Sequence, residues 1–107
     1  MTKKIRITKN TVIEKLAEVI DPEVNLSIVD LGLIYQVEVK RNPVTQIIVK
    51  MTLTTPGCPL FSYFEEAVVN KIEELKIDKK NIKVEFVFDP PWSIERISKK
   101  GRQLLGL

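Results

Sequence analysis

The sequence contains no histidine and a single cysteine, Cys58, among its 107 residues. The absence of histidine excludes Cys–His catalysis, histidine metal ligation and histidine general-base chemistry. A lone cysteine excludes an internal disulfide and a C-x-x-C redox pair, and one thiolate cannot complete a zinc or cluster site that usually takes four ligands. A stable metal site would need a second chain, a small thiol or carboxylates, and an enzyme with Cys58 as nucleophile is disfavoured.

Long apolar segments are also lacking. No stretch approaches the roughly 20 apolar residues that a membrane span requires, and no apolar signal core follows the N-terminal lysines, so we expect a cytoplasmic protein without a membrane partner. The composition, 44% hydrophobic and 29% charged, predicts a folded chain, and its length fits a single domain over residues 1–107. The net charge of +3 comes mostly from lysines along the chain, which favours a solvated surface over a nucleic-acid groove.

Hydrophobic periodicity predicts three helices and three strands in the order α-β-β-α-β-α. The helices are expected over residues 8–20, over residues 59–75 and after Trp92, and the strands over residues 33–40, 47–54 and 82–89. A turn at residues 41–44 should join the first two strands into a hairpin, and the helical connection should place the third strand parallel to one of them. The predicted fold is α+β, with a three-stranded mixed sheet, helices on one face and a polar second face.

Helix ends are predicted from single residues. Thr8 or Thr11 could form the N-cap of the first helix, which should end near Asp21 because Pro22 disfavours helical geometry there. Ser93 is the expected N-cap of the last helix.

Cys58 lies between the second predicted strand and the second helix, in Thr54-Thr55-Pro56-Gly57-Cys58-Pro59. Pro59 suits the first position of a helix, so we expect Cys58 at the N-cap. Free N–H groups and the helix dipole would favour a thiolate there. This predicts a reactive, ligand-competent sulfur with the Thr54 and Thr55 hydroxyls beside it. The alternative is a small buried hydrophobic residue in a tight turn.

Three carboxylates precede the first strand, at Asp21, Glu23 and Asp30. They could hydrogen-bond a thiol, coordinate iron transiently or face a basic partner. The alternative is that they cap helices and close turns. Further along, Trp92 follows two prolines and offers a flat anchor, either for packing on Ile97 or for a partner protein.

Four short sequence blocks, taken in their order along the chain, resemble those of a known protein family. They are Asp21-Pro22-Glu23, Ile28-Val29-Asp30-Leu31-Gly32-Leu33-Ile34-Tyr35, Met51-Thr52-Leu53-Thr54-Thr55-Pro56-Gly57-Cys58-Pro59, and Asp89-Pro90-Pro91-Trp92 with Glu95-Arg96. In this order they resemble the metal–sulfur cluster biosynthesis family, which includes SufT-like and PaaD-like proteins. The resemblance covers nearly the whole chain. It implies a compact α/β domain in which Cys58 shares one candidate site with Asp21, Glu23, Thr54 and Thr55.

The resemblance also implies a function in iron–sulfur cluster assembly and delivery rather than turnover of a small substrate. Cys58 would contact iron or a cluster transiently, and two copies in a homodimer could share it, with no cofactor stably bound. Expected partners are scaffold proteins, Mrp-type carrier ATPases and recipient apoproteins, engaged in part through Trp92 and Arg96. The chain lacks the cysteine-bearing tail of PaaD-like members, so a stand-alone SufT-like factor is expected. A metal-free adaptor that recruits recipients is the alternative.

Overall fold

A computed structural model describes residues 7–41, 44–54 and 60–106. It confirms the predicted α+β architecture. The helices are α1 (Lys9–Leu16), α2 (Phe61–Glu73) and α3 (Lys99–Leu105), and short 3₁₀ turns lie at Lys79–Asn81 and Ile94–Arg96. The strands are β1 (Ile20–Asp21), β2 (Leu26–Ser27), β3 (Ile34–Lys40), β4 (Gln46–Met51) and β5 (Ile82–Phe86).

The main sheet has the order β3-β4-β5. Strands β3 and β4 are antiparallel, and β5 runs parallel to β4, as the predicted crossover requires. Alternate residues of the central strand, Ile47, Val49 and Met51, are fully buried. Val49 is paired with Val37 on one side and with Val84 on the other, so one face of the sheet forms an apolar layer.

Helices α1 and α2 contact each other and cover this apolar layer. Val12 and Leu16 of α1 and Phe64, Val68 and Ile72 of α2 join the hydrophobic core, in which each is at most 2% exposed. The helical spacing of these residues places them on one side of each helix. None of the helices in the described ranges is long and apolar enough to cross a membrane.

The first helix ends at Leu16 rather than near Asp21, so this predicted boundary is wrong. The N–H groups of Glu18 and Val19 bond to carbonyls three residues earlier, which closes the last turn. The chain then forms the short antiparallel pair of β1 with β2, which the sequence did not predict. Two-residue strands are too short to show an alternating pattern. Thr8 is the N-cap, with its side chain accepting from the Thr11 N–H.

The starts of α2 and α3 also differ from the predictions. Helix α2 begins at Phe61 with Leu60 as N-cap, so the expected N-cap position of Cys58 is wrong; Cys58 itself lies outside the described residues. Helix α3 begins at Lys99, and its N-cap is Ser98 rather than Ser93. The Ser98 hydroxyl accepts from the Gly101 N–H at 2.9 Å, the bond that defines a helix N-cap.

Simple alternation along residues 33–40 predicts Tyr35 on the same side of the strand as Leu33, Val37 and Val39, and this prediction is wrong. The register of β3 shifts between Ile34 and Gln36, so Ile34 rather than Tyr35 is paired with Met51. A bulge of this kind redirects the side chain of the extra residue. The Tyr35 ring instead lies against the C-terminal segment, beside Arg96.

Candidate functional site

A cavity of about 250 Å³ lies between the β1–β2 turn, the residues that follow β4 and the C-terminal segment. Its lining includes Asp21, Glu23, Thr54 and Trp92. They come from three separate parts of the sequence. Asp21, Glu23 and Thr54 were named as members of the Cys58 site, and Trp92 was named as a partner-binding residue. Cys58 and Thr55, the other two members of the predicted site, lie outside the described residues. The described candidates of that site therefore meet in one place.

The β1–β2 turn fixes the position of Asp21. Its side chain is only 7% exposed, and Oδ1 accepts a hydrogen bond from the Glu23 N–H at 2.8 Å. The Asp21 carbonyl oxygen accepts from the Asn25 N–H, also at 2.8 Å, and Asn25 has a left-handed φ of 57°. Asparagine tolerates this conformation better than most residues do. The turn thus holds one carboxylate against the cavity, whereas the exposed Glu23 lines its edge.

Trp92 forms another side of the cavity. Its indole Nε1 donates to the Leu31 carbonyl oxygen at 2.7 Å, and its ring is partly buried against the core. Ile97 is 5% exposed and lines the same cavity, which fits the predicted proximity of these two side chains. Trp92 therefore joins the C-terminal segment to the loop before β3.

Gly32 allows these two segments to come close together. Its φ is +75°, and a Cβ built there would overlap the Arg96 carbonyl oxygen and lie 2.7 Å from the Arg96 Cβ. Only glycine adopts this conformation without strain and leaves room for the neighbouring backbone. This gives a physical reason for glycine in the Asp30-Leu31-Gly32 block.

Arg96 does not line the cavity. Its guanidinium lies 4.2 Å from the centre of the Tyr35 ring, a cation–π distance, and its side chain is exposed. The Tyr35 hydroxyl donates to the Pro90 carbonyl oxygen at 2.6 Å. Tyr35 and Arg96 thus form a surface beside the 3₁₀ turn. Sequence reasoning missed the role of Tyr35, because alternation alone cannot reveal a bulge.

Asp30 has a structural use, in line with the alternative considered for the three carboxylates. Its Oδ1 accepts from the Ser98 hydroxyl at 3.0 Å, and its carbonyl oxygen accepts from the Ser98 N–H at 2.7 Å. These bonds anchor the start of α3 to the loop before β3. Asp30 does not line the cavity.

Apolar side chains around the cavity were not predicted as site residues. Val24, Ile94 and Leu105 all line it and are 39%, 56% and 38% exposed. Each lies in a turn or a short helix, where a single apolar residue gives no periodic signal. The cavity thus combines two carboxylates with an exposed apolar rim.

The described residues do not form a metal site by themselves. No group of three or more His, Cys, Asp and Glu side chains within the described ranges is placed to hold a metal ion. Asp21 and Glu23 offer carboxylate oxygens and Thr54 a hydroxyl, all hard donors. The one soft donor in the sequence, Cys58, follows Thr54 by four residues.

Solved structures share this α+β fold. A conserved hypothetical protein from Thermotoga maritima is 37% identical, matches 100% of both chains and superposes with a TM-score of 0.75. Residues 9–86 match the family described as iron–sulfur cluster assembly protein, and the chain belongs to that family. It is also 34% identical over 99 residues to the Fe-S protein maturation auxiliary factor YitW of Bacillus subtilis, covering 92% of this chain and 94% of that one. The Fe-S protein maturation auxiliary factor SufT of Staphylococcus aureus is 36% identical over 89 residues, 83% of this chain and 98% of its own.

Proposed function

We propose that this chain is an auxiliary factor in the maturation of iron–sulfur proteins, and that Cys58 and the cavity act as one site. Family membership and the names of its relatives support the pathway. The observation that supports the site is the meeting of Asp21, Glu23, Thr54 and Trp92 around one cavity. The segment that contains Cys58 begins directly after Thr54.

Within this site, the Cys58 thiolate makes a transient contact with iron or with a cluster as cargo. Thiolate is the usual protein ligand of iron–sulfur clusters, which take about four such ligands. A single thiolate holds this cargo weakly, so a partner protein or a second copy supplies the remaining ligands. The Asp21 carboxylate, fixed by the turn, offers an oxygen donor or an acceptor for a thiol proton. Weak and shared ligation suits transfer better than storage, and no turnover of a small substrate is involved.

The surface beside the cavity contacts partner proteins. Trp92 and the exposed Ile94 and Leu105 offer apolar contact area, and Arg96 adds a cation next to them. Aromatic and arginine side chains are the residue types that most often dominate protein interfaces. The partners proposed are scaffold proteins, Mrp-type carrier ATPases and recipient apoproteins.

Anaerobic reconstitution with iron and sulfide, followed by visible absorption, tests the role of Cys58. We expect the wild type to take up cluster and Cys58→Ser to lose most of this absorption. The matched control is Cys58→Ser combined with Ser62→Cys, which keeps one thiol in the protein but moves it to an exposed position on α2. This control should also lose the absorption. Equal loading of the wild type and Cys58→Ser would remove Cys58 as a ligand.

The same variants separate this proposal from the metal-free adaptor. The adaptor rests on the surface around Trp92, Ile94 and Leu105, which could hold a partner protein without any metal. In that case Cys58→Ser would keep its binding to a carrier ATPase, whereas Trp92→Ala would weaken it. If Cys58→Ser abolishes both cluster loading and partner binding, the adaptor without metal is excluded.

A further inference from the structure

The outer edge of β5 has no partner strand in the described part of the chain. Strand β5 lies at one end of the sheet and pairs with β4 in parallel. The Val87 N–H donates to the Met51 carbonyl oxygen at 2.8 Å. Alternate residues in a parallel ladder direct their backbone groups to the same side, so residues 83, 85 and 87 face β4. Val84 and Phe86 therefore direct N–H and C=O groups outward, which is a template for another strand.

The sequence of this edge is complementary to itself. When two copies of Ile82–Phe86 are placed antiparallel with Val84 opposite Val84, Lys83 of each copy lies opposite Glu85 of the other. Ile82 of each copy then lies opposite Phe86 of the other. Opposite charges directly across an antiparallel pair are stabilising, and like charges are destabilising. Both charged pairs are favourable in this register, and both apolar pairs lie on the core face.

The exposure of these side chains suits such pairing. Lys83 and Glu85 lie on the open face of the sheet, where their side chains are 68% and 35% exposed and form an ion pair at 3.2 Å. In the antiparallel register each can exchange this contact for one across the interface. On the core face, Ile82, Val84 and Val69 line a groove of about 410 Å³ between α2 and the strand edge. A second copy would extend the sheet beside this groove.

We propose that two copies of this chain associate by antiparallel pairing of their β5 strands. The two-fold axis is perpendicular to the sheet, so the main sheets join into one and both helical layers lie on the same side. Glu65 and Glu66 line the groove in each copy, so association brings further negative charge to the helical side of the joined sheet. Because only five residues of each copy are paired, we expect a reversible dimer whose population depends on protein concentration. This inference goes beyond the proposed function, because it uses neither Cys58 nor the cavity.

Charge reversal on β5 tests the register directly, with sedimentation equilibrium over a wide range of protein concentration. Lys83→Glu gives an acidic strand and Glu85→Lys a basic one, so each places like charges opposite each other twice. We expect each variant alone to associate about 10-fold more weakly than the wild type. An equimolar mixture of the two should form a heterodimer, because every pair is again complementary. The double variant K83E/E85K should regain wild-type association.

Controls for net charge come from β3, the opposite edge of the sheet. Lys40→Glu and Glu38→Lys make the same charge changes on the same face, and both should associate like the wild type. Circular dichroism confirms that each variant is folded. A wild type that stays monomeric at every concentration would overturn the proposal and leave the edge free for a strand of another protein. Equal association of the wild type, K83E and E85K would overturn the register. Cys58→Ser should dimerise like the wild type. A failure of the dimer proposal can therefore be told apart from a failure of the cluster proposal.

Discussion

In the core layer, which comprises α1, α2 and β3 to β5, buried apolar side chains pack against each other over many residues. The cavity region, which comprises β1, β2, residues 28–33 and residues 88–106, adds a smaller set of buried side chains to this core, among them Ile28, Leu31 and Ile97. Its segments are also joined by individual polar and backbone contacts. Trp92 bonds to a carbonyl oxygen, Ser98 bonds to Asp30, and Gly32 lies against the backbone of Arg96. The larger share of the buried apolar side chains lies in the core layer, whereas the geometry of the site also depends on a few individual contacts in the cavity region.

The largest effect is expected from Phe64→Ala in the core layer. Phe64 is 2% exposed, so the substitution leaves a cavity and should lower the free energy of unfolding by about 3–5 kcal/mol. Phe61→Ala on the same helix is the matched control. Phe61 is 42% exposed and its ring lies 4.2 Å from the Phe86 ring, so its loss should cost about 1 kcal/mol. Urea denaturation measures both, and equal losses would contradict the assignment of the core.

A large effect from a single atom is expected in the cavity region. Gly32→Ala adds a methyl group where φ is +75° and the Arg96 backbone leaves no room, so stability should fall by about 2–4 kcal/mol. The control is Gly106→Ala, with φ of +76° and nothing within 4 Å of the added Cβ, which should cost about 1 kcal/mol. Thermal unfolding of the two variants separates the close approach from the backbone conformation. The same loss in both would show that Gly32 is needed for its conformation alone.

A smaller effect is expected from Trp92→Phe. This variant keeps an aromatic ring but loses the donor to the Leu31 carbonyl oxygen, at a cost of about 1–2 kcal/mol in unfolding free energy. Tyr63→Phe is a useful comparison, because it also removes one donor to a carbonyl oxygen. The bond from Tyr63 to Ile20 is exposed and 3.5 Å long, so denaturation should show almost no change. Comparable losses from the two substitutions would contradict a special role for the partly buried indole bond.

The smallest effect is expected from the ion pairs that join the C-terminal ends of α1 and α2. Lys15 contacts Glu74 at 2.8 Å and Lys71 contacts Glu18 at 3.0 Å, with longer contacts closing a ring of four charges. Hydrogen bonds from Lys71 and Lys15 lower the pKa of Glu18 and Glu74 below the ordinary value of 4.5. The bonds to Glu74 and Glu18 raise the pKa of Lys15 and Lys71 above 10.5.

These shifts set the sign of the pH dependence. The carboxylate contribution to stability is present above pH 4.5 and is lost as the pH falls through the lowered pKa of the folded state. The lysine contribution is present below pH 10.5 and is lost as the pH rises through the raised pKa. Glu18→Gln with Glu74→Gln should therefore be less stable than the wild type at neutral pH, with a smaller difference in acid or at high salt. Glu73→Gln is the control, and a difference that grew in acid would contradict the account.

The sequence predicted the core layer well because its evidence is spread over many residues. Three alternate buried residues in β4 and a repeated apolar side on α2 give the same answer even if one residue is misread. Element boundaries in the cavity region were not predictable in this way. The start of α3 depends on a bond between Ser98 and Asp30, which are 68 residues apart. No local pattern contains that information.

Some residues of the candidate site were also predictable from the sequence, and others were not. Asp21, Glu23, Thr54 and Trp92 were identified through ordered sequence blocks, and the structure brings these four residues to one cavity. The apolar rim of Val24, Ile94 and Leu105 was missed, because its members are isolated in sequence and meet only in the folded chain. The part played by Cys58 and Thr55 stays a prediction.

The most direct test of the account asks whether Asp21 and Cys58 act together. Asp21→Asn keeps the Oδ1 acceptor for the Glu23 N–H and removes only the charge, so the turn should remain intact. We predict that cluster loading under anaerobic reconstitution falls in Asp21→Asn and in Cys58→Ser, that the double variant is no worse than Cys58→Ser alone, and that Glu38→Gln on β3 loads normally. Wild-type loading by Asp21→Asn, or additive losses in the double variant, would contradict a single site formed by the cavity and the cysteine.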